Sequence, residues 1–381
     1  MSSLLKLPPL SLYIHIPWCL KKCPYCDFNS HEFKGSVPEN EYIDALLKDL
    51  DKELDYVQER SLQSVFFGGG TPSLFSAKAI QRLLEGCNQR ISFAGDIEIT
   101  LEANPGTFEQ QKFADFRTAG INRLSIGIQS FQEDFLIRLG RVHNASEAMR
   151  AADIARKAGF DNVNLDLMFG LPGQQQKQAL ADLQQAIALN PAHISWYQLT
   201  LEPNTLFYRY PPALPEAPLI EGMQDAGIEL LAESGYQRYE ISAFGQPGQQ
   251  SRHNLNYWHF GDYLGIGAGA HGKLTLPAQN QIIRTRKLRQ PRAYLQPNAI
   301  YCISQSAIEP SELPLEFMMN VLRLSEGAPE SLFKERTGLP LSLVQENLAD
   351  LREQGLLLSR DIVPTAKGMD LLNNVLQAFI H

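Results

Sequence analysis

The 381-residue chain holds only five cysteines, an odd number. That excludes the paired disulfide framework of a small secreted protein. No stretch approaches the ~20 consecutive apolar residues that a membrane helix needs. The first residues, MSSLLKLPPLSLYIHIPWC, lack the long apolar run and small-residue cleavage site of a signal peptide. Positive charge is also in deficit. Against 42 Asp and Glu stand 34 Lys and Arg, for a net charge of −8, which argues against nucleic acid held by charge alone. These absences point to the cytoplasm, reduced thiols and at most peripheral membrane contact.

Along the chain, short β-rich runs alternate with helical patterns. SLYIHI (11–16), SVFFGGG (64–70), DIEITLEANP (96–105), NRLSIGIQS (122–130), NVNLDLMFGLPG (162–173) and HISWYQLT (193–200) read as strands. Residues 41–57, with Ile43, Leu46, Leu47, Leu50 and Leu54 at helical spacing, read as a helix. So do 76–87 with Ser76 as N-cap, 108–120, 146–160 and 177–189. Apolar strands linked by helices predict a parallel sheet covered by helices, either open or closed into a barrel. In both, function collects where the strands end. Gly68–Thr71, Glu102, Gln129 and Asp166 fall there.

The pattern changes after about residue 240. HNLNYW (253–258) and YLGIGAGAHG (263–272) are rich in aromatics and glycine, and RTRKLRQPR (284–292) is a basic run that reads as a solvated loop. From Pro314 the chain is helical, and three helices with a small β wing predict a winged-helix-like α+β unit. Residues 308–381 carry 11 acidic and 6 basic side chains, so a lid or interaction module fits that unit better than DNA binding. The expected division is 1–240, 241–310 and 311–381.

Three cysteines, Cys19, Cys23 and Cys26, lie within WCLKKCPYCDF (18–28). Cys87 and Cys302 stand apart and read as small apolar residues. A structural zinc site wants four ligands and would have to recruit His15 or His31. A redox C-x2-C would leave Cys19 unused. Three thiolates suit a [4Fe–4S] cluster with one iron open.

The C-x3-C-x2-C spacing after a first strand, the aromatic Tyr25 before the last cysteine, and GGGTPS (68–73) after the next strand resemble the radical S-adenosylmethionine (SAM) proteins. YIHIPWC, GGGTPS, EANPGT, RLSIGIQSF, LDLMFGLPGQ and HNLNYW, in that order, resemble the oxygen-independent coproporphyrinogen III oxidase family over nearly the whole chain. The resemblance implies a partial (β/α)6 barrel in which the methionyl amine and carboxylate of SAM chelate the open iron. Electron transfer into the sulfonium then releases a 5′-deoxyadenosyl radical. Carried over residue by residue, it places Tyr13 by the sulfonium and the turn Gly69, Gly70 and Thr71 against the amino group. It places Glu102 and Gln129 on the ribose or methionyl end, Arg141 on a carboxylate of SAM or substrate, and Asp166 on the adenosyl ribose. Read alone, Glu102 and Asp166 are also helix caps or turn residues, and Arg141 a surface charge.

That family divides into oxidases and a sister group of haem chaperones. Oxidases carry a further cysteine two residues after the third, where this chain has Phe28, and a long extension before the cluster, where here Cys19 comes almost at once. HNLNYW fits the H-N-x-x-Y-W pattern of the chaperones. The resemblance therefore implies a chaperone that binds haem and passes it to an acceptor protein, with respiratory-chain enzymes the implied class. Its haem site would comprise His253 as iron ligand, Asn254, and Tyr257 and Trp258 stacked on the porphyrin. His259 and His271 are rival ligands, and Arg284, Arg286, Lys287, Arg289 and Arg292 candidate partners of the propionates. The alternatives are a coproporphyrinogen oxidase that decarboxylates propionates by radical chemistry, and a radical SAM enzyme with another substrate.

Overall fold

In a computed structural model, residues 5–33, 35–106 and 109–380 are described. Thr107, the end of EANPGT, and Phe108, the expected start of a helix, lie outside them. Strict alternation organises the first half. In β1 (Leu10–Ile16), β2 (Leu62–Gly69), β3 (Phe93–Ala103), β4 (Arg123–Gln129), β5 (Asn162–Phe169) and β6 (His193–Gln198), one face is apolar and the other mainly polar, with Phe66 and Met168 as exceptions. Leu12, Ile14, Val65, Phe67, Leu101, Leu124, Ile126, Leu165 and Ile194 are fully buried on the outer face. They pack under α1 (Glu39–Asp51), α2 (Ala77–Arg90), α3 (Glu109–Thr118), α5 (Ala145–Lys157) and α6 (Gln176–Ala188), whereas α4 (Glu133–Arg138) packs in a separate cluster with Met168, Leu171 and Leu199. Because side chains alternate across a strand, their neighbours Ser11, Tyr13, Ser64, Glu102, Ser125, Asp166 and Ser195 point the opposite way. The buried alanines Ala148, Ala151, Ala152 and Ala155 let α5 lie close to the sheet.

Further on come α7 (Ala217–Glu233), β7 (Gln237–Glu240), β8 (Ala243–Gly245), α8 (Arg252–Trp258), β9 (Asp262–Ile266), β10 (His271–Leu276), β11 (Gln281–Lys287) and β12 (Cys302–Ala307). Among the described residues twelve strands form one sheet, ordered β12-β11-β10-β9-β1-β2-β3-β4-β5-β6-β8-β7. β9 adds a seventh parallel strand beside β1, with Tyr13 opposite Gly265, and the two margins are antiparallel. Side chains of β2 to β6 meet in one cavity, so this part of the sheet curls as an open half-barrel does. The chain then forms α9 (Leu313–Val321), α10 (Glu330–Thr337), α11 (Gln345–Glu353), α12 (Ala366–Asp370) and α13 (Leu372–Gln377). Their core of Phe317, Val321, Leu348, Leu351, Ile362 and Val375 also takes in Leu5, Phe260 and Ile282. The wing is reduced to the bridges Ala328–Ile362 and Leu357–Pro364.

Two local expectations change, and HNLNYW gains a defined element. The helix expected over 41–57 ends at Asp51 and gives way to a 3₁₀ turn at Leu54–Tyr56, after which Gln58 and Glu59 take positive φ. HNLNYW is a helix capped by Ser251, whose side chain accepts from Asn254 N. The basic run is largely strand, and Lys287 within it is fully buried between Asp49 and Glu53. Cys87 is buried as expected, whereas Cys302 is half-exposed. No helix among the described residues is long and apolar enough to cross a membrane.

Asp262 anchors the added strand. Fully buried, it accepts from Arg60 at 2.8 Å, Lys273 at 3.1 Å and both the backbone and hydroxyl of Thr275 at 2.8 Å. Asp262→Ala would leave Lys273 and Arg60 without their counter-charge, and should cost about 3–5 kcal/mol. The midpoint of chemical unfolding measures this; a shift worth under about 1 kcal/mol contradicts the role.

Candidate functional site

The chain leaves β1 through Trp18 and Cys19 and loops back with Cys23 and Cys26. The glycine turn after β2 holds this loop: Gly70 N donates to Ile16 O at 2.7 Å and Thr71 N to Trp18 O at 2.8 Å. Only glycine fits at two positions. A Cβ on Gly70 would stand 2.5 Å from Trp18 O, and Gly69, at φ +110°, would press on the His15 ring at 2.6 Å.

The result is a cavity of about 390 Å³ lined by all three cysteines. Tyr25, Gly69, Gly70, Thr71, Glu102, Gln129, Arg141, Asp166 and Asn254 line it too. Each thiol has a polar neighbour. Thr71 bonds Cys19, the Arg141 Nη1 donates to Cys23 Sγ at 3.5 Å, and Ser30 Oγ lies 3.6 Å from Cys26 Sγ. Burial, with the neighbouring thiols, pushes the Cys19 thiol up, while the Thr71 bond pulls it down. Bound iron would relieve the crowding of like charge. Among the described residues no three His, Cys, Asp or Glu side chains gather tightly enough for a single metal ion. The thiols instead ring a cavity, an arrangement that suits a multi-iron cluster better than zinc.

Arg141 is not a surface charge. Its Nη2 donates to Gly127 O at 2.8 Å and to Asn104, which ties the ends of β3 and β4 to the cysteine loop. Its Nε is buried without a partner, so one donor remains for an anionic group. Burial pulls its pKa down, but Tyr25 and Cys23 more than offset that. Glu102 and Asp166 are not caps either. Asp166 accepts from Ser125 Oγ at 2.9 Å and Asn164 Nδ2 at 2.8 Å, and Gly69 N donates to Glu102 at 3.3 Å. Burial, with Asp166 nearby, lifts Glu102 from 4.5 to about 8. Gln129 sits at φ +68°, a strained backbone for a non-glycine residue, and its Oε1 accepts from Tyr197 at 2.9 Å.

The remaining expected residues lie outside this wall. Tyr13 points from β1 into a neighbouring cavity, where its hydroxyl is 3.1 Å from His15 Nδ1. His253 is 1% exposed; Ser64 Oγ lies 2.8 Å from Nδ1 and Tyr257 Oη 2.7 Å from Nε2, so in this arrangement neither ring nitrogen is free. Burial, then Arg123, lowers its pKa to about 3. Glu98 accepts from the backbone N–H of Arg252 and His253, which seats α8 at the opposite end of the strands. Trp258 lies under the Arg323 guanidinium at 4.4 Å.

Arg123, Ser125, Asn164, Ser195 and Tyr197 line the thiol cavity but were not singled out from sequence. Their signal was present: Ser125-Gly127-Gln129, Asn164-Asp166 and Ser195-Tyr197 are period-2 polar stripes in apolar strands. Arg123 is 2% exposed with an unpartnered Nε.

Three thiols around a cavity at the strand ends of an open β/α barrel define a protein built to hold an iron–sulfur cluster beside a small ligand. Residues 13–186 match the Radical SAM superfamily and 308–371 the HemN C-terminal domain. The chain is 52% identical over 379 residues to the Heme chaperone HemW of Escherichia coli K12, covering 99% of this chain and 100% of that one. It is 34% identical to the Heme chaperone HemW of Bacillus subtilis, covering 97% and 99%. The solved coproporphyrinogen III oxidase HemN of Escherichia coli has the same fold, with a TM-score of 0.81 at 24% identity over 98% of this chain and 90% of that one. The chain belongs to the radical SAM superfamily and, within it, to the HemW family. Membership implies a [4Fe–4S] cluster and SAM.

Glu102 carries a sign-defined prediction. Its pKa rises on folding, so the folded state holds the proton longer and stability falls between about pH 4.5 and 8. In cluster-free protein at pH 8.5, Glu102→Gln should therefore gain on the order of 1–3 kcal/mol, with the gain vanishing below about pH 4.5. Thermal melts across that range test it, and a destabilised variant at pH 8.5 contradicts it.

Proposed function

We propose that this chain is a haem chaperone that binds a SAM-ligated [4Fe–4S] cluster, takes up haem and passes it to an acceptor protein. The observation that carries this reading is the full-length identity to HemW chaperones. Phe28, where the oxidases have their extra cysteine, supports it. Cys19, Cys23 and Cys26 would hold the cluster, whose open iron and bound SAM together supply a one-electron route into the sulfonium. The turn Gly69–Thr71 offers backbone to the methionyl amine, and Arg141 Nε suits its carboxylate. Glu102 and Asp166 suit ribose hydroxyls, with Gln129 beside them and Tyr25 closing the wall. Tyr13 borders this group from the adjoining cavity.

His253 acts on haem through Tyr257, which it fixes, while Asn254 faces the thiol cavity and Trp258 supports α8 from behind. The acceptor we infer is a haem protein, with respiratory enzymes the leading class. Three reduced thiols call for a reducing compartment, the cytoplasm.

Anaerobically reconstituted protein should bind equimolar haem. The triple Cys19→Ser, Cys23→Ser, Cys26→Ser variant should lose the cluster's iron and its visible absorption. Given SAM, a reductant and coproporphyrinogen III, the wild type should form no protoporphyrinogen. Protein that keeps its cluster but takes up no haem, or that forms that product at useful turnover, overturns the reading.

A further inference from the structure

The polar inner face of the sheet does not stop at β1. It runs on across β9, β10 and β11, where Tyr263 pairs with Lys273 and His271 with Arg286. There a second cavity, of about 560 Å³, opens next to the thiol cavity. Phe28, 60% exposed, lines both. The walls of the second cavity are aromatic: Tyr13, Phe28, Tyr257 and Tyr263, with the last two rings edge-to-face at 4.4 Å.

Two histidines line it. His15 has both ring nitrogens engaged, by Tyr13 Oη at 3.1 Å and by Asn29 O at 3.0 Å. His271 is exposed and makes no side-chain hydrogen bond among the described residues. Partial enclosure by the cavity wall, then Arg286, Arg284 and Arg289, lowers its pKa and favours the neutral ring that binds iron. His259, the other rival, is tied to Leu255 O and lines a different cavity.

Two guanidinium groups border the same space. Arg286 and Arg289 are exposed and form no ion pair among the described residues. Arg284 is already paired with Glu316, and Lys287 with Asp49 and Glu53. Arg292 is not in the lining. Among the described residues Asp27 is the one carboxylate that lines this cavity.

Resting on the haem-chaperone reading, we propose that this second cavity is the haem site. His271 is the axial iron ligand, Arg286 and Arg289 hold the two propionates, and the macrocycle lies against Phe28, Tyr257 and Tyr263. Aromatic faces, a free imidazole and two unpaired guanidinium groups answer, in turn, the flat ring, the iron and the carboxylates of haem. Phe28 then separates haem from the thiol cavity by a single side chain. His253 serves as a positioning residue, since its bond to Tyr257 holds one wall of the haem site.

Ferric haem titrated into full-length, cluster-reconstituted protein tests this by its absorption and electron paramagnetic resonance spectra. Compared with wild type, His271→Ala should bind about 10–100-fold more weakly, with a changed Soret band that added imidazole restores. His271→Tyr should show the spectrum of phenolate-ligated haem, a signature that mere loss of structure does not produce. Arg286→Ala with Arg289→Ala should weaken haem binding but leave binding of the haem dimethyl ester as in wild type. If wild type binds haem and both His271 variants match it in spectrum and affinity, the site is wrong and the chaperone reading stands. If wild type binds no haem, both fail.

Discussion

The alternation of side chains across a curled parallel sheet is the constraint from which the rest follows. One parity of each strand supplies the apolar outer face on which the helices pack, and the other must face inward. Those inward positions are close together, recessed in one cavity, and mainly polar. Glu102, Asp166 and Arg123 would be costly to bury in a packed core. They are tolerable in a cavity that a polar ligand completes. The stability of the barrel and the chemistry of its interior therefore come from the same residues read at opposite parity. A one-residue slip in any strand would lose both.

At the mouth of this interior, two glycines allow the turn after β2 to close against the backbone that leads into the cysteine loop. Arg141 closes it from the other side, bonded at once to Cys23, Gly127 and Asn104. The loop is thus fixed by groups at the ends of β2, β3 and β4, although its own cysteines span only Cys19 to Cys26. Such pre-organisation matters for a cluster with one open iron, because nothing but the surrounding protein keeps the fourth position in place. At the far end, α8 seals the barrel, with Glu98 on its first N–H groups and His253 wedged between Ser64 and Tyr257.

What the sequence made legible was local. The cysteine spacing, the glycine turn and the six strands are short-range patterns, and Ser76 caps its helix as its neighbours suggested. What it hid depended on partners far along the chain. His253 reads as a free ligand until Ser64, 189 residues away, takes one of its nitrogens. Lys287 reads as one charge in a solvated run until Asp49 and Glu53 bury it. The tail of the helix begun at Glu39 carried apolar spacing past the point where the backbone turns. The inward stripes of β4, β5 and β6 were visible as alternation, but their meaning needed the curl of the sheet that brings three strands to one point.

With His271 as the iron ligand, cluster and haem sit in neighbouring cavities on a single inner face, divided by Phe28. Anomalous diffraction at the iron edge from crystals of haem-loaded, reconstituted protein tests this most directly. It should show one compact iron peak among Cys19, Cys23 and Cys26 and a separate single iron beside His271. Haem iron located elsewhere on the molecule, or within the thiol cavity itself, would contradict it.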